Sequence, residues 1–427
     1  MSEMEKKDKM PALFFEKKLG KLIKAYFRGK KSPSGYWRSG GPVGIKYIPI
    51  PNLVDENWVR IKTTFCGICG SDMKEITLNG ALDNPLQSLI SFPHIMGHEP
   101  VGVINKIGSN VSKFKVGDRV VISPWFPCKP RGLKPECSRC QQGDFTHCKN
   151  FQKGNIPTGM HLGVIKGYGG FAPYIAVHKS QCFMIPEEVT FEQAVLADPF
   201  SVAFHSILTL NPNPNSVILV FGLGVIGILT IMCLKNIFNV ENIVAIGRYT
   251  FQKNLALEMG AKHVFLNSGN ALIEEISNFF DITLYTPDRG MKWSIDGVDG
   301  IIDTIASAET LEIGLRILTA QGRLVFLGIS TPRRCENTPH YFKELQVIGS
   351  NAFSIETFNG TKVHAFEHYL KFLENKIIDP SLLITHKFPL GKYKEAFNTL
   401  VYKRRSQAVK VVFDFTSLNF TEFEKSN

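Results

Sequence analysis

The apolar segment Val217-Ile-Leu-Val-Phe221 runs without a break into Gly222-Leu-Gly224-Val-Ile-Gly227, and few local patterns leave a chain less freedom. The apolar run reads as a buried strand, and the residues after the glycines continue as an apolar helix. Each glycine has a separate task. Gly222 admits the tight turn, Gly224 lets the backbone approach a pyrophosphate, and Gly227 lets helix and strand pack closely. The N–H groups at the helix start, around Val225 and Ile226, then face a phosphate with partial positive charge. A Rossmann-type dinucleotide site is the expectation.

The surrounding segments extend that pattern. A strand at Asn242–Ile246, a helix at Phe251–Met259 and strands at His263–Phe265, Gly300–Asp303 and Arg323–Leu327 imply a parallel sheet with helical crossovers. Only the stretch Ser268–Gly297 has weak periodicity. The first half differs: short β-type runs at Pro11–Phe15, Trp58–Thr64, Val101–Ile107, Arg119–Ser123 and Ala172–Val177 are broken by Gly, Pro and Asn. The expected organisation is α/β, with a mostly-β, zinc-binding catalytic domain over 1–200 and a Rossmann NAD(P)-binding domain over 201–350. Residues 351–427 return to the catalytic domain, with a helix at Val363–Asn375 and a last strand at Ala408–Phe413. A chain of 427 residues is long enough for two such cores.

The second strand of the dinucleotide unit ends at Ile246. An acidic residue there would bind a ribose 2′-hydroxyl and repel a 2′-phosphate; this chain has Gly247 and Arg248. Glycine leaves room and arginine pairs with phosphate, so NADP is favoured over NAD.

Two groups of residues suit zinc. Cys69, in Gly67-Ile-Cys-Gly-Ser-Asp72, and His98, in Gly97-His-Glu99, are a thiolate and an imidazole of the kind a catalytic zinc takes. Ser71 is placed to pass an alcohol proton, and Asp72 and Glu99 are carboxylates that orient His98 or balance charge. Asp198, before the Rossmann strand, is the candidate third ligand. Cys66 reads as strand packing. The second group, Cys137-x2-Cys140-x7-Cys148, lets three thiolates converge from one loop. Cys128 is the natural fourth, with His147 as competitor. A closed site of this kind stabilises a loop with little core of its own.

Six of nine cysteines lie between Cys66 and Cys148, and MSEMEKKDKM carries no apolar stretch after its lysines. Thiolate metal sites in a reducing, cytoplasmic location are the expectation. No apolar run reaches the ~18–20 residues that span a bilayer. The formal charge of +11 is concentrated partly at Lys17-Lys18, Lys21, Lys24, Arg28 and Lys30-Lys31. It reads as a solvated basic surface, without a nucleic-acid or membrane partner.

From about Pro11 to Phe413 the chain resembles the zinc-containing medium-chain dehydrogenase/reductase family, which includes alcohol, sorbitol and threonine dehydrogenases. The landmarks are Gly-Ile-Cys69-Gly-Ser71-Asp72, Gly97-His98-Glu99, Val116-Gly-Asp-Arg-Val120, the cysteine lobe, Asp198-Pro-Phe-Ser-Val-Ala203 and Gly222 to Gly227. The resemblance implies a GroES-like catalytic domain beside the Rossmann domain, in a homodimer or homotetramer. It implies a catalytic zinc on Cys69, His98 and Asp198, with Glu99 as the alternative to Asp198, and a structural zinc in the lobe. The implied reaction is hydride transfer between a small alcohol, polyol- or threonine-like and secondary, and NAD(P). Three features depart from the family. Eight residues separate Cys128 from Cys137 where two are usual, Lys74 stands where many members have a relay histidine, and Lys17–Gly40 is an insertion.

Two other function classes compete. A zinc-free enone or quinone reductase shares the two-domain plan, but has no use for Cys69, His98 and Asp198. A non-catalytic protein binding nucleic acid or membrane through its basic N-terminal region has no use for the full chemical set.

Overall fold

A computed structural model describes residues 9–81, 83–331 and 333–417, which fall into two compact units. One runs to Asp198 and resumes at Thr357–Glu374 and from Asp379; the other is Pro199–Glu356 with Asn375–Ile378.

The first unit is built on a seven-stranded sheet. Its path is Ile384–Pro389, Lys410–Asp414, Trp58–Gly67, Glu99–Ile107, Arg119–Ile122 and Cys182–Met184, with Tyr174–His178 also on Trp58–Gly67. The long strand Trp58–Gly67 is central because alternate side chains along it, Val59, Ile61, Thr63 and Phe65, are buried, while those between, Arg60, Lys62 and Thr64, are not. Its register sets the site: Gly67 lies opposite Glu99 on one side and opposite Val412 on the other. Aromatic side chains fill the core beneath, including Trp37, Phe171, Phe397 and Phe413. Cys66 packs among them, as a small apolar residue does.

The second unit holds six parallel strands in the order His263–Phe265, Asn242–Ile246, Val217–Phe221, Val298–Asp303, Leu318–Phe326, Gln346–Gly349. This is a doubly wound Rossmann sheet. Its central strands are apolar on both faces because helices cover both, and Leu219, Val220, Ile301 and Ile302 are fully buried.

Local chemistry explains where boundaries moved from the sequence reading. The strand expected from Arg323 begins at Leu318, and the weakly periodic stretch contains a helix at Gly269–Phe280. The helix expected from Val363 begins at Ala365, after an extended segment Thr361–His364 rich in β-branched residues. There His364 Nδ1 accepts the Phe366 amide, so the side chain caps the helix start. The segment Lys17–Gly40 folds as a helix, Leu19–Lys31, and a 3-10 turn, Pro33–Trp37. No helix among the described residues is long and apolar enough to cross a membrane.

Glu16, buried at the end of the first strand, ties this segment to the sheet through ion pairs with Lys21 and Lys46. The two ammonium groups hold its carboxyl at about 2, below its ordinary range. A depressed carboxyl stabilises the fold above its unfolded pKa, and that contribution fades as pH falls through the folded value. The partly exposed lysines limit it to ~1–2 kcal/mol. Glu16→Gln is therefore expected to lower the thermal midpoint at pH 6, and the gap from the parent should close between pH 4.5 and about 2. An equal gap at pH 6 and at pH 2.5 would remove the ion pairs from the account.

Candidate functional site: a thiol–imidazole–carboxylate trio

Cys69, His98 and Glu99 each bring one ligand atom to a common point, and those atoms all lie within 4.8 Å of one another. Cys69 ends the central strand's extension and starts the helix Gly70–Ile76, where it and Asp72 form a reciprocal cap. The Asp72 carboxylate accepts the Cys69 amide at 2.8 Å and lies 3.5 Å from His98 Nδ1. Burial works against charge on Asp72, but His98 and the Cys69 amide outweigh it and hold the carboxyl below its usual range. With Nδ1 held by Asp72, the other ring nitrogen of His98 is left to act as a ligand.

Glu99 is buried beside His98, a position where an unbalanced charge is very costly. Its Oε2 meets the ammonium of Lys410, itself almost fully buried, which also donates to the Ile68 carbonyl at 3.2 Å. Burial alone would depress Lys410; the Glu99 charge reverses that and raises it. Glu99 Oε1 has no hydrogen-bond partner among the described residues. The pair fits only because position 67 lacks a side chain. A Cβ on Gly67 would stand 1.9 Å from Glu99 Oε2 and 2.7 Å from Lys410 Cε. A soft sulfur, an imidazole and a free carboxylate oxygen at one point make a donor set that suits zinc.

Asp198 lies outside this trio. It sits buried in the first turn of the helix Ala197–Leu210. Burial raises its carboxyl to about 7, with His98 and Lys410 opposing and Glu99 and Asp72 reinforcing the rise. Ser71 is exposed two residues beyond Cys69. His161 adjoins the trio, its ring centroid 5.2 Å from that of His98, and Trp125 packs edge-on against it at 5.2 Å. Lys410, His161 and Trp125 were absent from the sequence reading. Lys410 is the one cation in the otherwise apolar run Ala408–Phe413, and only sheet register brings it to Glu99.

The four thiols of Cys128, Cys137, Cys140 and Cys148 also converge within 4.8 Å. Sulfur separations of 3.6 Å (Cys128 to Cys148), 3.5 Å (Cys137 to Cys140) and 4.0 Å (Cys137 to Cys148) approach the edge of a zinc–thiolate tetrahedron, ~3.8 Å. The long Cys128–Cys137 loop is drawn in by backbone bonds: the Leu133 amide donates to Cys128 O, and the Cys137 amide to Cys128 Sγ. Burial pushes the Cys137 thiol up, but the amides of Cys140 and Lys149 bring it down to about 6. His147 points elsewhere, onto Asp144 at 2.8 Å, and is exposed. Arg131, fully buried, binds the surrounding loop by donating to the carbonyls of Phe126, Lys153, Ile156, Pro157 and Gly159.

In the second unit, Gly222 takes φ +88° after the strand Val217–Phe221, and a Cβ on Gly227 would stand 1.8 Å from the Gly222 carbonyl oxygen. Gly224 caps the helix Val225–Asn236 and has open space where a side chain would stand, as a pyrophosphate requires. Val225 and Ile226 form the first turn. Thr304, from the end of the neighbouring strand, donates to Phe221 O at 2.8 Å and walls the turn. Gly247 follows the strand Asn242–Ile246, and Arg248 beyond it is exposed. A depression of about 850 Å³, lined by Asn211, Asn213, Asp299 and Arg323 among others, lies at the opposite ends of these strands from Gly222. Ligands of open α/β sheets bind beyond the carboxyl ends of the strands, so that depression is not the dinucleotide site.

Two family models match the chain: the alcohol dehydrogenase GroES-like domain over residues 55–187, and the zinc-binding dehydrogenase over residues 225–372. A sorbitol dehydrogenase of Bacillus subtilis is 27% identical over 372 residues, 87% of this chain and 93% of that protein. The (R,R)-butanediol dehydrogenase of Saccharomyces cerevisiae is 30% identical over 345 residues, 76% of this chain and 83% of that protein. A solved alcohol dehydrogenase of Escherichia coli CFT073, complexed with NADH, shares the fold at a TM-score of 0.72 and 24% identity. That alignment covers 96% of this chain and 100% of that one.

The fit at position 67 yields a sharp expectation. Gly67→Ala forces the Glu99–Lys410 pair apart in a place that water does not reach, at a cost of ~3–5 kcal/mol. Gly70→Ala, where nothing lies within 4 Å of the added carbon, should leave the thermal midpoint nearly unchanged. Equal midpoints for the two variants would mean that the pair is not sterically locked.

Proposed function

The chain belongs to the zinc-containing medium-chain dehydrogenase/reductase family, and we propose that it is a zinc-dependent dehydrogenase of a secondary, polyol-like alcohol that prefers NADP. Its chemistry is nicotinamide-dependent alcohol oxidoreduction. The observation that carries the zinc reading is the convergence of half-buried Cys69 with buried His98 and Glu99, one Glu99 oxygen being left without a hydrogen bond.

In this reading Cys69, His98 and Glu99 hold the catalytic ion, and Cys128, Cys137, Cys140 and Cys148 hold a structural one. When bound, zinc supplies Lewis acidity and the nicotinamide accepts or returns a hydride. The chain's residues do the rest. Asp72 fixes the His98 ring and the Cys69 backbone, so the two ligands are held before anything binds. Lys410 pairs with Glu99 in a place closed to water and so holds that side chain in position. The exposed hydroxyl of Ser71 takes the alcohol proton toward solvent. Gly222, Gly224 and Gly227, with the amides of Val225 and Ile226, receive the pyrophosphate. A polyol or vicinal diol is supported as substrate class by relatives named for sorbitol and butanediol.

Elemental analysis of the purified protein is expected to give about two zinc ions per chain. Cys137→Ser should remove one without removing turnover at once, whereas Cys69→Ala should remove the other together with turnover. Glu99→Gln is expected to lose the catalytic ion and Asp198→Asn to retain it. Zinc that stays with Glu99→Gln and leaves with Asp198→Asn would assign the third ligand to Asp198 instead.

Cofactor choice is the second test, read as reduction of NAD⁺ and NADP⁺ side by side with sorbitol and 2,3-butanediol. An arginine–phosphate contact is worth ~1.5–3 kcal/mol, roughly ten- to more than hundredfold in affinity. Arg248→Ala should weaken NADP by about that factor and leave NAD alone. Gly247→Asp should reverse the preference; its added carbon would meet Leu223 Cδ1 at 2.7 Å, a flexible side-chain end that can turn aside. Equal affinities for both cofactors, unmoved by Arg248→Ala, would leave that arginine without a role.

A further inference from the structure

The segment Leu19–Lys31 does not serve either metal group or the glycine turn, yet it is a well-formed helix with two distinct sides. The inner side is spoken for. Ala25 is buried, Leu22 packs on the core of the first unit, and Gly29 lies against the Tyr36 ring. The helix is therefore fixed in orientation, and its other side is fixed with it.

That other side is unusual for a soluble surface. Leu19 is 74% exposed, Phe27 63%, Ile23 47% and Tyr26 44%, and at i, i+4 and i+7/i+8 they form one stripe about 12 Å long. Beside the stripe lie exposed Lys24, Arg28 and Lys31, with Lys18 at the helix start. From Lys17 to Lys31 there are seven cations and no acidic residue. Among the described residues the only carboxylate ion-paired with this segment is Glu16, on Lys21. The helix also breaks a local rule. Its N-terminus has no side-chain cap and no acid in the first turn, and instead carries Lys17, Lys18 and Lys21 where the helix dipole is positive.

We propose that this outer face docks on an anionic phospholipid bilayer, with the helix lying in the plane of the headgroups. The apolar stripe enters the headgroup–acyl boundary while the neighbouring cations meet lipid phosphates and carboxylates. Two other occupants fit less well. A nucleic acid would satisfy the cations but leave Leu19, Ile23 and Phe27 against water. A second copy of the chain would cover the stripe but bring seven cations against seven. The docking does not depend on the catalytic reading and places no part of the chain across the membrane.

The test is co-sedimentation of the full chain with extruded vesicles, using phosphatidylcholine alone and phosphatidylcholine with phosphatidylserine at three to one. Binding is expected only with phosphatidylserine present, and should fall steeply between 50 mM and 0.5 M salt as screening grows. Leu19→Glu with Phe27→Glu should weaken it at least tenfold. Reversing Lys24, Arg28 and Lys31 to Glu should weaken it about a hundredfold or more, at roughly fivefold per lost cation. All five positions are exposed, so circular dichroism and the thermal midpoint should match the parent and confirm folded variants. Three results would overturn the proposal. One is a folded parent that ignores phosphatidylserine vesicles at 50 mM salt. Another is vesicle binding that survives Leu19→Glu with Phe27→Glu, together with binding to duplex DNA or RNA that shows the same charge dependence, which would make the face a polyanion site. The last is self-association abolished by Phe27→Glu in a protein that binds no vesicle.

Discussion

The buried pair of Glu99 and Lys410 is the interaction on which the rest of the first unit depends. Two full charges sit where solvent does not reach, and each is tolerable only because of the other. That requirement sets the sheet register. Gly67 must lie between the strands that carry them, since any larger residue would occupy the space of the carboxylate. Once Gly67 is placed, Cys69 follows two residues later and His98 immediately precedes Glu99. The trio is a consequence of a ladder that first had to satisfy electrostatics.

The two thiol-bearing sites solve the same problem by different means. The trio is held by a sheet, with a large core beneath it. The four-thiol lobe has little core of its own and relies on one arginine reaching five carbonyl groups, and on amides directed at sulfur. The first arrangement is rigid before any ion arrives. The second gathers four potential negative charges within a few ångströms, and a divalent cation is the natural means of holding them there.

The dinucleotide turn was the most legible part of the sequence, because its three glycines act through backbone geometry that needs no partner far away. The strands Val217–Phe221 and Asn242–Ile246 are found as read. Cys69, His98 and the four lobe cysteines were also readable, since metal-binding residue types cluster locally. Other features were not. For the third ligand the sequence leaves Asp198 and Glu99 both open, because neither local spacing nor residue type tells which carboxylate comes to Cys69 and His98; in the fold it is Glu99 whose oxygen lies with them. Lys410 could not be recognised at all, for its meaning lies in a strand paired across more than three hundred positions. That Leu19, Ile23 and Phe27 share the outer side of one helix was not legible either, because it depends on which side packs against the core.

The distance along the chain between Glu99 and Lys410 has a bearing on how the protein is made. A ribosome adding ~5–20 residues per second needs ~15–60 s to travel from one to the other. The whole second unit, Pro199–Glu356 with Asn375–Ile378, emerges in that interval. Until the last strand arrives, Glu99 has no ammonium to meet and keeps its hydration, so the sheet around it stays open to water. The nascent chain thus completes its dinucleotide-type sheet first and seals its metal-type site last, and the seal is an ion pair whose second charge arrives with the last strand of the chain to be made.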